Sequence, residues 1–110
     1  MTTRDLLTRA RARIAKREHW CKGAYAATKD GYETEPWLEE AQQWCAVGTV
    51  MAGTKSEIAT RRAFKRLVKC LPTGYGGQIW RFNDDWRRTH EEVLALFDCA
   101  IAQLGPAERK

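Results

Sequence analysis

With 110 residues, 44% of them hydrophobic and 30% charged, the chain is one domain's worth of globular sequence and not a disordered tract. No apolar run approaches the ~18 residues a membrane span requires, and the arginines near the N-terminus precede no apolar segment, so neither a membrane protein nor a secreted one is expected. A formal net charge of +5 and a pI near 9.2 lean toward acidic partners, nucleic acid among them.

The spacing predicts a first helix over about Thr3 to Arg17, capped by Thr2 or Thr3, with Leu6, Leu7, Ala10 and Ile14 on one face. A second is expected from about Pro36 to Met51, where Trp37, Ala41, Trp44, Gly48 and Met51 fall on one stripe. Gly48 sits at the centre of that stripe. Glycine there weakens a helix, so its presence implies close approach of another backbone. The third helix is expected from about Lys55 to Leu71, opened by a Thr54/Glu57 capping box and ended by Pro72, with Phe64, Leu67, Val68 and Leu71 inward. The fourth runs from about His90 to Leu104, opened by a Thr89/Glu92 box and stopped by Gly105-Pro106. Its face of Val93, Leu94, Phe97, Ala100, Ile101 and Leu104 is the widest in the chain.

Two loops separate these helices. Lys29-Asp30-Gly31 is a turn signal able to join two very short strands. Residues 72–88 are too aromatic to hang in water and should pack across the helices, with an extended segment at Gln78–Phe82. The expected fold is therefore all-α: four main helices around one core, a long aromatic loop across them, and at most a minimal two-strand element. One domain spans 1–110, with an ordered core over about 3–105 and a tail at 107–110.

Cys21, Cys45, Cys70 and Cys99 have neither the spacing of a disulfide-dense scaffold nor that of a CxxC metal site. In the cytoplasm, the expected location, all four are free thiols. His19, Cys21, Cys45 and His90 offer no zinc-site spacing either, so no metal and no cofactor is expected.

The strongest chemical signal is charge. On the third helix Arg61, Arg62, Lys65, Arg66 and Lys69 cluster opposite Phe64, Leu67 and Leu71, a face able to follow a phosphate backbone or simply to be solvated. The second signal is Phe82-Asn83-Asp84-Asp85 ahead of Arg87-Arg88-Thr89-His90. Carboxylates beside arginines and a histidine suit acid–base chemistry, but the same residues also cap turns and pair locally, and no complete catalytic set is visible. Gly74-Tyr75-Gly76-Gly77 follows a helix and lacks a phosphate-loop pattern, so it reads as a helix stop.

Four strings, W-C-K-G-A-Y-A (Trp20–Ala26), W-C-A-V-G (Trp44–Gly48), F-N-D-D (Phe82–Asp85) and R-T-H-E-E-V-L-A-L-F-D (Arg88–Asp98), resemble in order and spacing a family of small bacterial and phage proteins, a domain of unknown function. The resemblance implies a single compact domain with W-C-A-x-G as a helix-packing seam. It also implies a shared pocket near Trp20, Lys22, Gly23, Trp44, Asn83, Asp84, Arg88 and His90. Cys21 departs from the pattern, in which a residue such as threonine is expected.

The function expected from the sequence is non-enzymatic: a binding or regulatory accessory protein that contacts a protein or nucleic acid through the basic face of the third helix. The alternative is a small enzyme or ligand-binding domain with its pocket around Trp20, Asn83, Asp84 and His90. The oligomeric state is open.

Overall fold

Helix ends fall where a side chain or a tertiary contact satisfies the terminal backbone groups. In a computed structural model, which describes residues 1–105, α1 (Thr3–Arg13) opens on a capping box between Thr2 and Asp5. It stops before the expected Arg17 because the Ile14 carbonyl accepts the His90 Nε2–H at 2.6 Å, and a short 3₁₀ turn (Arg17–His19) follows. The chain then forms β1 (Ala26–Ala27), paired antiparallel with β2 (Gln43–Trp44) in the register Ala26 to Trp44. The Lys29-Asp30-Gly31 turn closes within this segment, where Ala27 also bridges Glu33.

The second helix corrects the expectation. It begins at Ala46, not Pro36: α2 is Ala46–Gly53. The backbone of residues 42–45 is committed elsewhere, with Gln42 N–H donating to Ala27, Cys45 N–H to Tyr25, and the Trp44 carbonyl accepting from Cys21 N–H. Groups bonded across a ladder are unavailable for helical bonds, so Trp37 leaves the stripe and is 55% exposed. Cys45 is the N-cap, its Sγ accepting from Gly48 N–H at 3.3 Å. Gly48 does mark a close backbone approach: an added Cβ would run into the Tyr25 carbonyl.

Helix α3 (Glu57–Lys69) is capped by Ser56, whose Oγ accepts from Ala59 N–H, so the Thr54/Glu57 box does not form. Thr54 instead accepts from Ser56 N–H, one residue too early. Its buried residues are Ala63 and Leu67, with Phe64 and Leu71 half-buried and Val68 exposed. The aromatic stretch expected as extended at Gln78–Phe82 is helical: α4 (Ile79–Asp84) buries Ile79, Phe82 and Asn83. Helix α5 (His90–Leu104) has the expected bounds and the Thr89/Glu92 capping box. Pro106 and the tail 107–110 lie outside the described residues.

Five helices and one two-stranded sheet thus make up the described residues. Helix α1 is central, packed against α2, α3 and α5, while α4 bridges α2 and α3. Leu6, Leu7 and Ile14 of α1 and its C-terminal flank meet Val50, Leu67, Val93 and Phe97 in the core, all but fully buried. No described helix is long and apolar enough to cross a membrane.

The cysteines are a second correction. Cys70 at the end of α3 and Cys99 on α5 form a disulfide, because the packing of these helices brings their Cα atoms to 6.1 Å. Cys21 and Cys45 are free. The bond closes a loop across a sequence separation of 29 residues. Chain-entropy reasoning predicts that replacing both partners by serine lowers stability by about 3.5 kcal/mol. Paired denaturant curves check this; coincident midpoints would contradict it.

Candidate functional site

The segment after α1 is tied to α4 by side chains of Asn83 and its neighbours. Asn83 Oδ1 accepts from the Trp20 indole N–H at 2.7 Å and from Ala46 N–H at 3.0 Å. Its Nδ2 donates to the Cys21 carbonyl at 3.0 Å and to Asp84 Oδ1 at 2.9 Å. Both donors and both lone pairs of the amide are therefore used, and the side chain is fully buried. Because two N–H groups converge on one end of the amide, that end must be the oxygen. Asn83 thereby also caps α2 from a distant part of the chain, at its first N–H.

Other members of the sequence-derived pocket gather around this junction. Asp84 Oδ1 also accepts Gly23 N–H at 3.0 Å, at a glycine whose φ of +84° suits the turn. Lys22 Nζ donates to the Asp85 and Arg88 carbonyls at 2.6 and 2.9 Å, and lies 5.3 Å from the Trp20 ring centroid. The His90 ring stands 5.6 Å from that of Trp20; since Nε2 meets a carbonyl, it is the protonated nitrogen. Arg88 pairs with Glu92 at 3.3 Å. Trp44 sits to one side, its indole N–H donating to the Pro36 carbonyl at 2.9 Å and Arg13 stacked over its ring.

Two thiols and one carboxyl at this junction are shifted by their surroundings. Burial pushes the Cys21 thiol up to about 12, helped by the nearby Cys45 and Asp84. Burial likewise raises Cys45 to about 11. Neither thiol supplies a thiolate near neutral pH. Asp85 lies in the opposite regime: hydrogen bonds from the Arg87 side chain, the Arg87 N–H and the Tyr75 hydroxyl hold its carboxyl far below the usual carboxylate range. It serves as a fixed anchor for the turn into α5, and local pairing of an aspartate with Arg87 is among the roles its sequence neighbourhood allows.

A small cavity of about 220 Å³ opens beside Asp84 at the edge of this junction, lined by Gly23–Tyr25, Glu33, Cys45 and Trp80. Glu33 belongs to no motif and Tyr25 lies in the W-C-K-G-A-Y-A string without being one of its pocket residues, and only assembly of three chain segments brings them beside α4. A larger open cleft of about 770 Å³ runs between Trp37, residues 51–55 and the start of α3. Among the described residues no group of three or more His, Cys, Asp or Glu is placed to hold a metal ion.

The basic residues of α3 face away from the core. At 3.6 residues per turn, Arg62, Lys65 and Lys69 project within about 60° of one another and opposite Leu67, with Arg61 and Arg66 on the flanks. All but Arg66 are exposed. Arg61 makes a surface pair with Glu57 at 3.5 Å; the other four form no ion pair among the described residues. Ile58, 66% exposed, lies on the same face.

The chain belongs to a family of unknown function (DUF6197), which matches residues 1–103. No functionally described protein and no solved structure matches it.

Proposed function

We propose that this is a non-enzymatic binding or regulatory accessory protein, of bacterial or phage origin, that holds a nucleic-acid phosphate backbone against α3. The observation behind the reading is the outward basic face: Arg62, Lys65, Arg66 and Lys69, without acidic partners among the described residues, on a helix of 13 residues. Such a helix is about 20 Å long, and a duplex presents one negative charge per ~1.7 Å of axis. A helix laid against it therefore meets several phosphates at once. Contacts of this kind position a protein without reading sequence.

Charge reversal tests the reading. Arg62, Lys65, Arg66 and Lys69 changed together to Glu should weaken binding to a labelled random-sequence duplex at least 100-fold while leaving the thermal unfolding curve close to wild type. Equal binding by the variant would overturn it. Ile58 favours a second reading, an acidic protein surface with an apolar patch, in which case Ile58→Ser weakens binding of a protein partner as much as loss of one charge.

The small-enzyme alternative on Trp20, Asn83, Asp84 and His90 is the weaker reading, because the Asn83 amide and His90 Nε2 are already bonded within the fold. The proposed setting is the cytoplasm. A reducing compartment opens disulfides, so the state of Cys70 and Cys99 in cells bears directly on that setting.

A further inference from the structure

We infer that the cavity beside Asp84 is a binding site for an alkylammonium group, held by two carboxylates and two aromatic walls. Its lining combines Tyr25 and Trp80, both about half exposed, with Glu33 and Asp84, and includes no lysine or arginine. In a chain of net charge +5 this is a locally acidic recess. Aromatic faces attract cations through the ring quadrupole, and trimethylated ammonium groups are recognised by such walls.

The neighbouring bases are turned away or engaged elsewhere. Lys22 Nζ is bound to the Asp85 and Arg88 carbonyls. Arg81 stacks over Trp80 at 5.5 Å and does not line the cavity. Asp84 is fixed through Oδ1 by Gly23 N–H and Asn83 Nδ2, while its Oδ2 has no hydrogen-bond partner among the described residues. Glu33 makes no ion pair among the described residues.

Size and donor chemistry narrow the ligand. At about 220 Å³ the recess falls below the ~300 Å³ at which pockets for drug-sized ligands begin, so it fits a head group and not a whole metabolite. A metal ion is disfavoured by the donor set: two carboxylates, and a Cys45 sulfur that already accepts Gly48 N–H. An ammonium with methyl substituents uses both the charge and the aromatic area.

The test titrates choline chloride into isotopically labelled protein at constant ionic strength, following the Trp80 indole and the Gly23 and Tyr25 amides by NMR. The neutral isostere 3,3-dimethyl-1-butanol serves as control. Choline is expected to give saturable shifts at these three residues, and the alcohol none. Glu33→Gln and Trp80→Leu, both at the surface, should each weaken choline at least five-fold while leaving the remaining spectrum in place. Three results would overturn the proposal: no saturable shift with choline, equal affinity for the alcohol, or unchanged affinity in both variants. The α3 face lies outside this cavity, so neither outcome bears on nucleic-acid binding.

Discussion

Asn83→Ala is expected to lower the unfolding free energy by about 4–5 kcal/mol, the largest effect of any single substitution considered in this protein. Truncation leaves the fully buried Ala46 N–H and the half-buried Trp20 indole N–H and Cys21 carbonyl without their partner. Each such orphan costs about 1–3 kcal/mol, and the vacated volume adds to the loss. Asn83→Asp separates the contributions. It keeps an acceptor for Trp20 and Ala46 but loses the donor to Cys21 and sets a second carboxylate against Asp84, so it too should be strongly destabilised. Urea unfolding of both variants is the check. A loss below 1 kcal/mol for Asn83→Ala would mean that the junction is not what fastens the Trp20 segment to α2 and α4.

Gly48→Ala comes next, at about 4 kcal/mol, although alanine is normally the better helix former. The new methyl group meets the carbonyl of Tyr25, with the carbonyl carbon 2.8 Å away. That carbonyl accepts the Cys45 N–H, so it cannot withdraw without opening the start of α2. Backbone has no alternative rotamer, which is why the cost exceeds ordinary overpacking. A midpoint equal to or above wild type in thermal unfolding would show that the strand segment slides away freely.

These two residues also show where sequence was informative. Gly48 was legible because a glycine amid an apolar stripe is costly unless something lies against it. Helices α1 and α5 were legible in their apolar spacing, and α5 also in its Thr89/Glu92 box. The false start of α2 has a physical origin: Trp37, Ala41 and Trp44 have helical spacing, but residues 42–45 gain more from bonding to the 21–27 segment. Likewise Thr54 and Ser56 are both competent caps, and only the tertiary path of the chain selects Ser56. The disulfide had no local signal, since contact between α3 and α5 creates it.

The candidate site was legible in membership more than in arrangement. The resemblance grouped Trp20, Lys22, Gly23, Trp44, Asn83, Asp84, Arg88 and His90, and the fold brings all but the Trp44 side chain around one junction, the Trp44 indole bonding instead to the Pro36 carbonyl. Their hydrogen bonds point largely inward, to one another and to backbone, which no spacing rule reveals. The cavity beside them draws on Tyr25, Glu33 and Trp80, three residues from separate segments with no shared pattern. By contrast the α3 face needed only helical projection, because its charges all lie on one element.

That face is the central functional claim, and salt dependence tests it most directly. Binding of a random-sequence duplex, measured by fluorescence anisotropy across a range of salt concentrations, should follow counterion release. With four phosphates engaged by Arg62, Lys65, Arg66 and Lys69, log K against log salt should have a slope of about −3 to −4. A slope near zero, or no binding at low salt, would contradict the account.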